Sequence, residues 1–365
     1  MVAEAEVSPR DRSKHPPHTE FADLRIGRGM RVSVPTEISA TTVDYFIPSQ
    51  LAQWNAELPP LRPSAIASNR PRHLPGPWLL VGARYGVEEA TAEATQETAR
   101  VARALTLLGR TPLTVADLLQ ANAVLAGTAS AGHIRDAISW IEGRSPACAK
   151  RVPPPSSAVP GLLQDVLEFQ QRSNVALWVK QALMYYQMVH IHPFADGNGR
   201  FSRALVAASG GALPASRAES LLVAAAIALN KNAITEQHAA VREGSPGRYL
   251  SSWHALQEWA VARSMALSAD EETIANELAA VCGSTNTSAL LLPLLANHAR
   301  LRTSELAAGC RWSARNTPTY LARLSDAGWL ARTGGATDEW TSPRMRAIQH
   351  SIISGTREET SIFFA

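Results

Sequence analysis

Residues 190–203 read HIHPFADGNGRFSR. Two histidines, an aspartate, a Gly-Asn-Gly run and two arginines crowd into a region otherwise rich in alanine and leucine. Ahead of the stretch, NVALWVKQALMYYQMVHI (174–191) places Val175, Trp178, Ala182, Tyr185, Met188 and Val189 at helical spacing. Pro193 predicts that this helix ends at His192. A further helix is predicted from about Arg200 to Ser209. The stretch therefore joins two helices, with Phe194 as the apolar residue that anchors the joint in the core.

Its residues can be read one by one. Glycines ahead of a helix let an anion approach the unbonded backbone N–H groups of the first turn. Arg200 and Arg203 lie three apart on one helix face, and guanidinium groups bind phosphate through two bonds at once. A carboxylate beside phosphates, here Asp196, suits Mg²⁺, which takes one or two carboxylates plus phosphate oxygens. His192 accepts a proton near neutral pH. Base, metal carboxylate, anion cradle and two arginines are the parts of phosphate-transfer chemistry. The plainer readings are a solvated helix face for the arginines and a turn residue for Asp196. His190 and His192 share the His-x-His spacing of metal sites. No Cys, Glu or His follows at a metal-binding interval, so His190 reads as a helix-end residue. Trp178, Tyr185 and Tyr186 read as core packing.

Working outward, the flanking sequence is mostly helical. TAEATQETARVARALTLLG (91–109) is a helix closed by glycine. Residues 114–127 follow as a helix capped by Thr114. The stretch 132–155 breaks the rhythm: AISWI has β character, and a proline run ends it. Helix resumes over 159–170. Residues 1–30 are polar and predicted to form a disordered tail, without the apolar region of a secretion signal. The longest apolar run, LLVAAAIAL at 221–229, is too short to cross a bilayer, so no membrane contact and a cytoplasmic location are expected. Cys148, Cys282 and Cys310 are too scattered for a disulfide framework or a zinc knuckle. A net charge of +3 permits one nucleic-acid-binding patch but does not argue for it along the whole chain.

The motif HPFADGNGRFSR matches, at every fixed position, the signature His-x-Phe-x-Asp/Glu-Gly-Asn-Gly-Arg-x-x-Arg of the Fic family. GHIRDAISWIEG with RVPPP resembles the Gly-x-x-Arg segment, flap hairpin and Pro-rich turn ahead of that motif. The resemblance covers roughly 115–265. It extends more weakly to DYFIPSQLAQWNAELPPL (44–61), which is similar to the helical extension of many Fic proteins. It implies a mainly α fold with a short β-hairpin flap. The implied reaction is transfer of AMP from ATP to a Ser, Thr or Tyr hydroxyl of a target protein or of the enzyme itself.

By that resemblance His192 is the general base and Asp196 holds Mg²⁺. Gly197, Asn198 and Gly199 line the anion hole, with the Asn198 side chain on the α-phosphate. Arg200 contacts the β-phosphate and Arg203 the γ-phosphate. The flap, around 136–150, takes a target segment as an added strand. Family members that act as kinases carry lysine at the position of Gly199; glycine favours nucleotidyl transfer. ATP and Mg²⁺ are the implied cofactors, and a second copy of the chain is a candidate partner. Removal of AMP, or another nucleotide donor, is the competing enzymatic reading.

The resemblance also implies an inhibitory helix with the pattern Ser/Thr-x-x-x-Glu-Gly/Asn, whose Glu pairs with the second motif arginine. GARYGVEEATAEA (82–94) occupies that place, with Glu88 the candidate and Glu89 the fallback. Arg84 stands where the Ser/Thr is expected and Glu89 where Gly or Asn is. An acidic first turn complementing a helix dipole is the plain alternative.

Residues 288–345 change character. They read as helix, helix, turn, helix, then a hairpin around Gly334-Gly335, the order of a winged helix-turn-helix. The second helix is predicted over about 303–308 and the third to end near Ala327, with Pro318 at its first turn. Arg315, Asn316 and Arg323 are the candidate DNA contacts, with Arg311, Thr319, Tyr320 and Arg332 nearby. Asp326, Asp338 and Glu339 oppose that reading, and a module for protein contacts or autoregulation is its alternative; for the whole chain, a DNA-binding regulator whose Fic domain senses nucleotide competes with the enzyme reading. The organisation expected is thus tail 1–30, helical extension 31–113, core 114–268, linker helix 269–287, winged module 288–345 and tail 346–365.

Overall fold

The structure, a computed structural model, describes residues 22–26, 30–34, 72–86, 92–128, 131–173, 175–211, 214–242, 247–333 and 338–364. It is mainly helical, as the sequence predicts. The first described elements are an antiparallel pair, β1 (Ala22–Ile26) and β2 (Met30–Val34), in register from Ala22↔Val34 to Ile26↔Met30. This corrects the expected tail of 1–30 and the all-helical 31–113. The reason is the alternation of Leu24, Ile26, Met30, Val32 and Val34 with polar neighbours, a period-2 pattern. The segment 44–61 lies outside the described residues.

Helices then dominate. They are α1 (Trp78–Tyr85), α2 (Ala92–Leu108), α3 (Val115–Ala126), α4 (Val159–Gln171), α5 (Leu177–Ile191), α6 (Asn198–Ala208), α7 (Pro214–Leu229) and α8 (Lys231–Arg242). Thr114 caps α3 in a reciprocal box with Asp117, and Gly127 closes it in the left-handed region. The motif helix α6 is packed by α2, α3, α5 and α7. Phe201, fully buried, meets Phe194 edge to face at 4.8 Å. That contact pins the loop to the helix it feeds, as expected of Phe194.

Helix α9 (Gly247–Cys282) replaces the expected boundary at 268 with one 36-residue helix. No Gly or Pro interrupts 248–282, and the buried stripe Tyr249, Trp253, Leu256, Ala260, Ser264, Leu267, Ile274, Leu278, Cys282 keeps helical spacing throughout. At 1.5 Å per residue it is about 54 Å long. It packs on α5, α7 and α8 and also on the elements that follow.

Those elements are α10 (Thr285–Asn297), β3 (Leu301–Arg302), α11 (Thr303–Gly309), α12 (Thr317–Asp326), β4 (Ala331–Arg332) and β5 (Glu339–Thr341). The strands form an antiparallel sheet in the order β3-β5-β4. The sequence suggested two of the three; β3 is too short to carry a pattern. Asn316 is the cap of α12, and Pro318 sits in its first turn, as predicted.

The expected tail 346–365 is instead most of α13 (Pro343–Phe364), which packs on α1, α7, α8 and α9. Met345, Ile352, Ile353, Thr356, Thr360 and Phe364 form its buried face. Ser252 Oγ donates to the Phe363 carbonyl at 2.6 Å, and Asn230 Nδ2 to Thr360 Oγ1 at 2.8 Å.

Candidate active site

Helix α5 ends at His192, whose φ of 48° is left-handed and whose N–H closes the helix on the Met188 carbonyl at 3.1 Å. Glycine or asparagine usually occupies such a cap. A larger residue there is held at a cost of order 1–3 kcal/mol by its surroundings. The holder is Arg135, a side chain the sequence reading left without a role. Its guanidinium is buried and donates to the carbonyls of His192 (2.8 Å), Ala137 (3.1 Å), Pro154 and Ile191 (3.4 Å). Its own N–H donates to the Pro193 carbonyl at 2.9 Å, beside an Ile134–Phe194 bridge. One buried cation thereby ties residues 135–137, the proline turn and the loop that follows α5 together. The flap itself is slighter than the hairpin expected: an Ile141–Arg151 bridge closes it.

Burial, and then the charges of Arg151 and Arg135, push the His192 imidazole down to about 4. It is therefore neutral at physiological pH and able to accept a proton. Following the His192 ring signals by NMR against pH is expected to give a midpoint near 4; one near the ordinary 6.5 would refute the burial described. An unfolded His192 titrates near 6.5, so the folded state binds this proton less readily. The burial carries no pH penalty above about 6.5 and destabilises the fold progressively as pH falls toward 4.

Helix α6 starts at Asn198, inside the Gly-Asn-Gly run and two residues earlier than predicted. Gly197 is its cap at φ 82°, and a Cβ there would sit 3.2 Å from Asn122 Nδ2. The first-turn N–H groups have no intrahelical acceptors and carry the positive end of the helix dipole. Asn122 of α3, fully buried, braces the loop: Nδ2 donates to the Asp196 carbonyl and Oδ1 accepts from Gly132 N–H, each at 3.1 Å.

The Asn198 side chain turns back toward the loop. It is buried, Oδ1 accepts from Phe194 N–H at 2.9 Å, and Nδ2 donates to the Phe194 carbonyl at 2.8 Å. One bond from each end of the amide thus goes to shaping the loop.

Asp196 is exposed and pairs with Arg200 at 3.0 Å, while Arg200 Nη1 also donates to the Leu125 carbonyl at 3.0 Å. Arg203 is more deeply placed and hydrogen-bonds the buried Tyr185 phenol. Tyr185 is thus more than core packing. A Cβ on Gly199 would lie 3.3 Å from Arg203 Nη1. Burial first, and then the charges of Arg84 and Arg200, lower the proton affinity of Arg203 against the Tyr185 phenol, which raises it.

Among the described residues no group of three or more His, Cys, Asp or Glu could hold a metal. One exposed carboxylate with hard oxygen donors fits Mg²⁺ that arrives on phosphate oxygens.

Other sequence candidates sit as follows. His190 is buried, stacked on Tyr186 at 4.0 Å, its Nδ1 2.7 Å from the Tyr186 carbonyl. Glu88, Glu89, Gly334 and Gly335 lie outside the described residues. Glu97 of α2, three residues beyond that segment, pairs with Arg84 at 3.3 Å. Arg315 and Asn316 are exposed ahead of α12; Arg323 is exposed too, but its charge reaches the buried Cys282 thiol of α9.

No curated protein matches the chain. A Fic family protein from Desulfovibrio desulfuricans G20 is 19% identical with a TM-score of 0.44, over 83% of this chain and 95% of that one. A Fic domain containing signaling protein from Bacteroides thetaiotaomicron VPI-5482 is 13% identical with a TM-score of 0.40, over 61% and 97%. The stretch from Pro112 to Ala208, which holds Arg135, His192, Asp196 and the whole of α6, matches the model of the Fic/DOC family.

Proposed function

We propose that the chain is a protein adenylyltransferase. The observation that carries this reading is a half-buried, neutral His192 ahead of the open N-terminus of α6, with Arg200 and Arg203 on the same helix. The hydroxyl oxygen of a Ser, Thr or Tyr attacks the α-phosphorus of ATP. The bond from that phosphorus to the oxygen bridging the α- and β-phosphates breaks, and pyrophosphate leaves. His192 takes the hydroxyl proton. The first-turn N–H groups of α6 receive the α-phosphate oxygens, and Arg200 and Arg203 hold the β- and γ-phosphates. Asp196 would release Arg200 and hold Mg²⁺, which neutralises phosphate charge when bound. The target and hydroxyl follow no residue of the motif, and the chain itself is one candidate.

The purified chain, incubated with Mg²⁺ and ATP labelled on either the α- or the γ-phosphate, and a cell lysate treated likewise, test this. Label transferred from the α position is expected. Label from the γ position would make the enzyme a phosphoryl transferase, and release of AMP from a modified protein would make it the reverse enzyme.

The run α10, β3, α11, α12, β4, β5 is in winged helix-turn-helix order, and we propose that 288–345 is such a module contacting DNA through Arg315 and Asn316. A binding constant that falls steeply with salt is expected, because neutralised phosphates release counterions. Absence of binding to any duplex at low salt would leave the protein-contact role.

A further inference from the structure

The helices ahead of the family-matched stretch meet α10 and α13 around a cavity of about 60 Å³. Trp78 and Val81 of α1 and Leu295 of α10 give it apolar wall, while Asn297, His298 and Arg346 bring polar groups to it. One water needs about 10–15 Å³ of such space, so the cavity has room for several waters or one molecule of about five non-hydrogen atoms.

The character of each polar group is set by its other bonds. Asn297 Nδ2 donates to the Pro293 carbonyl at 2.9 Å, which fixes which end of the amide is which. The other end, Oδ1, is buried without a hydrogen-bond partner among the described residues. A buried acceptor in that state calls for an N–H or O–H. His298 Nδ1 lies 3.0 Å from the Leu294 carbonyl. A carbonyl only accepts, so that nitrogen carries the proton, and Nε2 of the neutral ring is a second acceptor.

Arg346 has the opposite character. It is half-buried, its side-chain bond to the Ala299 carbonyl is long at 3.5 Å, and no carboxylate pairs with it among the described residues. Its burial, and then the charge of Arg300, disfavour the positive form, and Arg300 is itself taken by Glu339 at 3.6 Å. A cation partly out of water and unmatched calls for an anion. The ligand that answers all three walls has a carboxylate at one end, a neutral hydrogen-bond donor at the other and a short carbon frame. An ammonium donor would be repelled by Arg346 and Arg300, which leaves a hydroxyl.

We propose that this cavity is a binding site for a small hydroxycarboxylate, with the carboxylate on Arg346, the hydroxyl donating to Asn297 Oδ1 and the carbon frame against Trp78 and Val81. Guanidinium and carboxylate form paired, charge-assisted bonds. No residue of the 190–203 motif lines the cavity, so the ligand is an effector rather than a reactant. Its walls join two parts of the chain. Gly82, Gly86 and Ala94 come from the segment that carries Glu88, and Ala296 to Ala299 from the end of α10 and the turn after it. An occupant therefore touches both.

Saturation-transfer NMR and calorimetry of the full chain with glycolate, acetate and glycolamide test it. Glycolate is expected to bind about tenfold or more tighter than acetate, which lacks the hydroxyl, and than glycolamide, which lacks the charge. Arg346→Gln should weaken glycolate about 10–100-fold, the size of a lost charged hydrogen bond, and Arg346→Lys should weaken it less. Asn297→Ala should bring glycolate down to the affinity of acetate and leave acetate itself within about twofold, a split that a merely structural role would not produce. Thermal unfolding of the ligand-free variants shows whether they fold; should Arg346→Gln fail to, Arg346→Lys and Asn297→Ala carry the test. A parent that binds no glycolate, or binds all three compounds equally, overturns the proposal. So does glycolate binding that none of the variants weakens, since the anion would then sit elsewhere.

Discussion

His192→Ala will lower AMP transfer by about 10²–10⁴-fold, the usual contribution of a positioned general base, and leave ATP affinity within a few-fold. The two effects separate because the groups that would hold phosphates lie elsewhere. They are the first-turn N–H groups of α6 and the guanidinium groups of Arg200 and Arg203, and the ring of His192 supports neither. Alanine also suits the left-handed cap at φ 48° no better than histidine, so the backbone gains no relief. Single-turnover transfer from labelled ATP, measured beside calorimetric ATP binding, gives both numbers. A variant that transfers at the parent rate would remove His192 from the chemistry, and one that no longer binds ATP would make it a structural residue.

Arg135→Ala is expected to be the most damaging change to the fold of the site. It strips the donor from four backbone carbonyls, on Ala137, Pro154, Ile191 and His192. A buried acceptor left unsatisfied costs about 1–3 kcal/mol; relaxation and the relief of burying a cation offset part of that. A net loss of about 2–4 kcal/mol follows, and at about 2–4 °C per kcal/mol for a domain of this size the Tm falls by roughly 5–15 °C. Below that melt, the transfer rate should fall too, because the left-handed cap loses its clamp. The imidazole of His192 should also titrate higher than in the parent, since one of the charges depressing it is gone. Thermal unfolding followed by circular dichroism checks the first effect and NMR titration the second. An unchanged Tm would mean that water replaces the guanidinium and that the clamp is dispensable.

Much of this was legible before any coordinates. The motif announced itself because its chemistry is contiguous: base, carboxylate, cradle and arginines are local neighbours, so spacing alone brings them together. Helices α2 to α5 were readable from caps and periodicity, Thr114 and Gly127 above all. What sequence could not disclose is non-contiguous. Arg135 is 57 positions from His192, and nothing in its own surroundings says that it will bond four carbonyls. Tyr185 fits a core stripe so well that its phenol's contact with Arg203 leaves no periodic trace. Asn198 was read outward because an amide beside a phosphate cradle is chemically apt, and its bonds four residues back to Phe194 leave no trace in the spacing. The missed helix α13 has another cause: polar residues such as Thr356 and Thr360 occupy its buried face, hiding the stripe.

The seating of α1 has a kinetic side. Glu271 of α9 accepts the N–H groups of His73 and Leu74 across separations of 198 and 197 residues. Farther along, α1 rests on α7 and α13. Contacts this remote along the chain are closed late, because each closure must first meet the entropy of a long loop. The loop between α5 and α6 is stitched by neighbours far closer in sequence, with Asn122, Arg135 and Phe194 all within the family-matched stretch. Refolding will therefore form the loop between α5 and α6 before the seat of α1, and the same ordering run backwards makes that seat the first to open.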